Sequence, residues 1–145
     1  VKINAIDVAE KEVNQTRENF LQSPWSNKLE VIHQSLQNYE GIQDGFDLIV
    51  SNPPYFQNSF KPPKQERIAP RHTTLLSFED LLVHAHRLSN TRGRLSVILP
   101  EAEGKLFCEL AKEKTWYLTR QTVFKSRAFK PIERLLLEFE RERKK

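Results

Sequence analysis

Asn52, Pro53, Pro54 and Tyr55 are the residues of this sequence whose types and order most suggest a reacting centre. They follow directly on the apolar run FDLIVS (46–51). An apolar run of this length reads as a strand buried on both faces. In open α/β sheets, ligands bind beyond the carboxyl ends of the strands. Two consecutive prolines stiffen the backbone there. The Asn52 side-chain oxygen and the Pro53 carbonyl are both acceptors, and proline brings no competing donor. Two acceptors suit an amine whose lone pair is delocalised, such as adenine N6 or a glutamine side-chain amide. Gripping both hydrogens draws the nitrogen towards tetrahedral geometry and frees the lone pair. Tyr55 can stack on a base and hold it out of its helix or loop. A methyl group on a sulfonium is then displaced in line, so the site supplies orientation and electrostatics. The tetrad does not distinguish adenine from a glutamine amide. The plainer alternative is a proline turn that closes a strand.

A second candidate lies at Asp7, which ends the short apolar run INAIDV (3–8). In nucleotide-binding α/β folds, an acid at the end of the second strand bonds the ribose hydroxyls. Val8 then lies against the adenine face of the cofactor. The simpler role for Asp7 is an acid at a helix N-terminus, favoured by the macrodipole. After the next strand, LEVI (29–32), the residues are His33, Gln34, Ser35 and Leu36, with no acid among them. Ser35 offers a hydroxyl and Leu36 an apolar surface to the adenine ring.

The elements that must position these residues alternate. A strand at 3–8 is followed by an amphipathic helix from Ala9 to about Leu21, carrying Val13, Phe20 and Leu21 and ended by Pro24. LEVI and FDLIVS are the next strands, with a turn from Gly41 to Gly45 between them. Ser77, with Asp80 three residues on, predicts a helix N-cap. That helix runs to about Leu88 and is ended by Asn90 to Gly93. A strand at 95–100, a helix at about 104–114 and strands at 117–124 and 134–140 complete the chain. The order β-α-β-β-α-β-α-β-β predicts an α/β fold with a mostly parallel sheet, ending in an antiparallel hairpin. The terminal RERKK reads as a solvated charged tail.

Composition narrows the class. With 145 residues, 38% of them hydrophobic, the chain suits one globular domain, 1–145. No apolar run approaches the ~20 residues of a membrane span. The N-terminus lacks the pattern of a signal peptide. The single cysteine, Cys108, excludes an internal disulfide and a cysteine-rich metal site. Cys108 sits in an apolar helical stretch and reads as a buried structural thiol. His84 and His86, two apart, do not share a helix face, so no metal is expected. These features point to a cytoplasmic protein. The net charge of +4 favours a polyanionic partner.

Taken together, DLIVSNPPYF (47–56), NFLQSPW (19–25), RHTT (71–74), GRLSVILPE (93–101) and IERLLLEFER (132–141) resemble the bacterial tRNA1(Val) adenine-37 N6-methyltransferase family. The resemblance covers nearly the whole chain. It implies a Rossmann-like class I methyltransferase fold, S-adenosylmethionine as cofactor and adenine N6 in tRNA, beside the anticodon, as substrate. By the motif match, Asn52 to Tyr55 are then the catalytic tetrad and Asp7 the ribose ligand. The segment 56–74 becomes a substrate-recognition loop. Its Phe56, Lys61, Lys64, Arg67, Arg71 and His72 are suited to phosphates and bases.

One departure from the family pattern bears on the cofactor. The family has a first strand and a glycine-rich loop before the stretch seen here. The four glycines of this chain stand at 41, 45, 93 and 104, none of them upstream of Asp7. The chain opens at Val1 and holds no methionine, as expected of a piece of a longer protein. The expectation is a partial domain lacking that strand, which belongs between INAIDV and FDLIVS, and weak cofactor binding by the chain alone. Two alternatives stay open: the same tetrad acting on another substrate, a release-factor glutamine or adenine in DNA, and a catalytically incomplete RNA-binding fragment. The oligomeric state is left open.

Overall fold

The computed structural model describes residues 1–54 and 76–142. Tyr55 and the recognition-loop candidates Phe56, Lys61, Lys64, Arg67, Arg71 and His72 lie outside the described residues. The elements follow the expected order: β1 (Ile3–Asp7), α1 (Glu10–Gln22), a short 3-10 turn (Ser26–Lys28), β2 (Leu29–His33), β3 (Phe46–Ser51), α2 (Phe78–Leu88), β4 (Ser89–Leu99), α3 (Glu101–Glu113), β5 (Tyr117–Phe124) and β6 (Arg134–Glu140). They fall into two compact units, one holding residues 1–40 and the other residues 41–54 and 76–142.

In the first unit β1 and β2 pair in parallel, from Ile3 opposite Leu29 to Asp7 opposite His33. A parallel pair needs a crossover, and α1 supplies it. Val13 of α1 and Tyr39 are buried here. The Tyr39 hydroxyl accepts a hydrogen bond from Asn4 Nδ2 at 3.1 Å. β1 is less buried than its apolar run predicts, with Ile3 exposed and Asn4 to Asp7 half-buried. Among the described residues it pairs with β2 alone.

The second unit is built on a four-stranded sheet of order β3-β4-β6-β5. β3 and β4 are parallel, while β6 runs antiparallel to both β4 and β5. Three strands therefore point the same way and β6 alone is reversed. One face of the sheet carries the core. Leu95, Val97 and Leu99 of β4 and Leu135, Leu137 and Phe139 of β6 alternate along their strands and are all buried. Against them lie Leu81, Leu82, Ala85 and Leu88 of α2, and Phe107 and Ala111 of α3. Phe107 meets Phe78 edge-on at 5.3 Å and Phe139 at 5.6 Å. Trp116 is fully buried, and its indole N–H donates to the Leu82 carbonyl at 3.1 Å. Such a ring combines a large apolar body with a satisfied polar edge.

Local chemistry explains the boundaries. Ser77 forms a capping box with Asp80: Ser77 Oγ accepts the Asp80 N–H at 3.0 Å, and Asp80 Oδ2 accepts the Ser77 N–H at 3.4 Å. α3 begins at Glu101, a turn earlier than predicted, with Pro100 at the N-cap position. The Pro100 carbonyl accepts the Gly104 N–H at 2.8 Å, and a proline loses nothing there because its N–H is not needed. Gly104 sits where α3 lies close on β6. A Cβ there would come within 2.9 Å of Leu135 Cδ1.

Four expectations need correction. Asn90 to Gly93 does not separate α2 from β4; the strand starts at Ser89, and these residues loop out of its ladder, so that Phe46 faces Ser89 and Leu48 faces Arg94. Asn90 Nδ2 donates to Asp47 Oδ1 at 2.7 Å, which pins the irregularity. Arg141 belongs to the fold rather than to a solvated tail, because its guanidinium donates to the carbonyls of Ser89 and Asn90, at 3.1 Å each. β3 is not buried on both faces: Leu48 is exposed and Val50 is 71% exposed. Both stand on the face of Arg94, Ser96 and Glu138, away from the α2–α3 layer, and among the described residues β3 pairs with β4 alone. Cys108 is half-buried rather than fully buried.

Candidate active site

β3 leads into Asn52, Pro53 and Pro54. Its register fixes where the strand ends: Ser51 lies opposite Val97, Val97 opposite Leu137, and Leu137 opposite Gln121. Asn52 therefore begins one residue beyond a row that crosses all four strands, at the carboxyl edge of β3 and β4. The exposures of the next residues alternate. Asn52 is exposed, Pro53 is almost fully buried and Pro54 is exposed again. Burial of the Pro53 ring anchors the middle of this stretch, while the flanking Asn52 is exposed.

The other expected site residues gather within the first unit. Asp7 ends β1 and is half-buried. Its Oδ1 accepts the Ala9 N–H at 2.8 Å, a local turn that leads the chain into α1. A carboxylate has about four lone-pair positions, so one such bond leaves room for more. The Asp7 carbonyl accepts the Gln34 N–H at 3.0 Å, which carries the β1–β2 pairing one residue past the strand. Val8 is exposed, and its carbonyl lies 3.0 Å from His33 Nε2. Ser35 and Leu36 follow β2 at the same edge and are half-buried. Ser35 caps a turn: its carbonyl accepts the N–H groups of Asn38 and Tyr39, at 3.2 and 3.0 Å, and its Oγ accepts that of Asn38 at 3.3 Å. Asp7, Val8, Ser35 and Leu36 thus share one edge of the β1–β2 pair.

Reactive groups elsewhere have structural surroundings. Burial pushes the Cys108 thiol up, with Glu109 adding to the shift and Lys112 opposing it. A thiol held protonated is a poor nucleophile. His86 packs edge-on against Trp116 at 5.9 Å and lies 3.1 Å from Arg141 Nη2. Desolvation lowers its pKa and the Arg141 charge lowers it further. His84 lies 3.3 Å from Arg87 Nη2. No three His, Cys, Asp or Glu side chains among the described residues could together hold a metal ion. No described helix is long and apolar enough to cross a membrane.

The sequence reasoning overlooked the connection between β5 and β6, residues 125–133. It emerges at the same carboxyl edge as Asn52, because β5 runs in the direction of β3. Lys125, Arg127, Phe129 and Lys130 are exposed there. The signal was available in FKSRAFK (124–130), where basic and aromatic residues are interleaved.

The fold is shared with methyltransferases. A methyltransferase from Pyrococcus furiosus superposes with a TM-score of 0.66 at 19% identity, covering 97% of this chain and 62% of that one. The magnesium protoporphyrin IX methyltransferase of Synechocystis PCC 6803 gives 0.64 at 14% identity, covering 98% and 60%. The α/β fold is therefore that of the class I methyltransferases, as expected. In sequence the chain is 38% identical over 136 residues to a tRNA1(Val) (adenine(37)-N6)-methyltransferase of Aliivibrio salmonicida. It is 36% identical over 142 residues to the Proteus mirabilis protein of the same name. These matches cover 94% and 97% of this chain but 58% and 56% of the relatives, so the chain spans somewhat more than half their length. Residues 2–130 match the model of the Eco57I restriction-modification methylases, and the chain belongs to that family.

Proposed function

We propose that this chain is the tetrad-bearing part of an S-adenosylmethionine-dependent methyltransferase acting on adenine N6 in tRNA, at position 37 beside the anticodon. The observation that carries the reading is the Asn52-Pro53-Pro54 turn at the carboxyl edge of β3, with Pro53 buried and Asn52 exposed. Both compact units belong to one methyltransferase domain in this reading, supported by a family match that runs through both. The tRNA relatives favour adenine over a glutamine amide, and the setting is the cytoplasm.

The residues fit the cofactor. Asp7 has acceptor capacity beyond its bond to Ala9 for a ribose diol, and Val8 presents an exposed apolar side chain beside it. Ser35 and Leu36 line the same edge for the adenine ring. S-adenosylmethionine supplies a methyl group on a sulfonium. The chain's own residues prepare the acceptor. Asn52 Oδ1 accepts one hydrogen of the adenine amine and the Pro53 carbonyl accepts the other, which turns the lone pair out of conjugation with the ring. Tyr55 stacks on the base and keeps it out of the loop. In the recognition loop, Phe56, Lys61, Lys64, Arg67, Arg71 and His72 contact bases and phosphates.

The test is methyl transfer from labelled S-adenosylmethionine by the natural full-length protein, offered unmodified tRNA and, separately, a peptide release factor. Label recovered as N6-methyladenosine after digestion to nucleosides is the expected result. Label on the release-factor glutamine alone would keep the amine-gripping chemistry and overturn the substrate.

A further inference from the structure

The β5–β6 connection combines three properties that an ordinary surface loop does not need together. It is strongly cationic: Lys125, Arg127 and Lys130 are all exposed. The single carboxylate among residues 125–133, that of Glu133, is taken up inside the loop, where the Ser126 N–H donates to it at 3.3 Å and the Ser126 hydroxyl donates to the same oxygen. The loop is also pre-shaped. The Glu133 N–H donates to the Phe124 carbonyl at 3.0 Å and closes its base, while the Lys130 N–H donates to the Arg127 carbonyl at 2.9 Å and makes a turn within it. Finally, it displays aromatic surface. Phe129 is 77% exposed and Phe124 49% exposed, with Lys130 Nζ 5.9 Å from the Phe129 ring centre. An exposed aromatic ring among cations offers a base a face on which to stack, beside charges suited to its phosphates.

Its position gives the combination a purpose. The row Ser51–Val97–Leu137–Gln121 crosses the sheet. Asn52 follows Ser51 at one end, and the run from Gln121 to Phe124 and Lys125 leaves the other end towards the same edge. With strands about 4.8 Å apart, the loop base lies roughly 14 Å to the side of the tetrad. A few nucleotides of single strand cover that span.

We propose that the β5–β6 loop is an RNA-docking surface. Lys125, Arg127 and Lys130 contact phosphates of the strand that flanks the nucleotide at Asn52, and Phe129 stacks on a neighbouring base. This rests on the tRNA reading above and adds a contact surface to it. Phosphate contacts position a strand without reading its sequence, and the stacking is equally tolerant of sequence.

The experiment measures the affinity of the natural full-length protein for unmodified tRNA as a function of salt. It compares the wild type, the triple variant Lys125→Ala, Arg127→Ala, Lys130→Ala, and the charge-keeping triple Lys125→Arg, Arg127→Lys, Lys130→Arg. The alanine triple is expected to weaken binding about tenfold or more at low salt and to flatten the salt slope by about 2, as for three lost single-strand phosphate contacts. The charge-keeping triple should retain most of the affinity, which separates lost contacts from lost folding. Phe129→Ala should weaken binding about fivefold or more with an unchanged slope. Unchanged affinity and slope in the alanine triple would overturn the docking surface while leaving the tRNA reading intact. A wild-type protein that binds no tRNA and methylates a release factor would overturn both.

Discussion

β3 and β6 are written in nearly the same alphabet and have opposite fates. FDLIVS of β3 is as apolar as RLLLEFE of β6. Yet Leu48 and Val50 of β3 are exposed, while Leu135, Leu137 and Phe139 of β6 are buried. The difference lies in the faces compared. By register Leu48 and Val50 stand on the face of Ser96, Glu138 and Leu136, and Leu136 of β6 is itself 42% exposed. Leu135, Leu137 and Phe139 stand on the other face, which α2 and α3 cover. An apolar run states what a strand can bury; the layer against each of its faces decides what it does bury. The covered face of the sheet holds the core, and its carboxyl edge carries Asn52.

The contrast can be broken by paired substitutions. Trp116→Ala should cost this chain about 3–5 kcal/mol, and Leu137→Ala about 2–5 kcal/mol. Truncating Trp116 also removes the indole N–H bond to the Leu82 carbonyl. Val50→Ala, at an exposed position of β3, should stay within about 0.5 kcal/mol. Chemical denaturation of the three variants reads the difference directly. Equal losses at Val50 and Leu137 would mean that the face of Val50 is covered as deeply as the face of Leu137.

A smaller effect sharpens the account of the core's edge. The His86 pKa is lowered by desolvation, and by Arg141, below its ordinary 6.5. The unfolded chain therefore binds the proton more readily than the folded one, and stability falls as the pH drops through about 6.5 towards the depressed value. His86→Gln should remove that part of the acid loss while leaving stability above pH 7 nearly unchanged. Thermal unfolding between pH 5 and 8 reads it, and a parent and variant with identical acid limbs would contradict the assignment.

Much of the fold was legible because it is written locally. The Ser77–Asp80 capping pair, the turn from Gly41 to Gly45 and the alternation in β6 each state their own structure. The misreadings came from what local pattern does not encode. Asn90 to Gly93 is turn-like and does leave the ladder. Whether it ends an element depends on Asp47 and Arg141, which lie far off in sequence and pin it in place. Arg141 looked like the start of a charged tail because its partners, Ser89 and Asn90, are about fifty residues away. At the site, Asn52 and Pro53 were legible because motif and strand end coincide. The loop from Lys125 to Lys130 was overlooked because only the sheet topology brings it to the edge that Asn52 occupies.

In the proposed mechanism Asn52, at the end of β3, accepts a hydrogen from the adenine amine during methyl transfer. Its most direct test compares Asn52→Ala with the wild-type full-length protein, measuring single-turnover methyl transfer to unmodified tRNA alongside tRNA affinity. Loss of the acceptor should slow transfer by about a hundredfold or more, on the scale of other preorganised hydrogen-bonding groups, with affinity nearly unchanged. Transfer at the wild-type rate in Asn52→Ala would contradict the account.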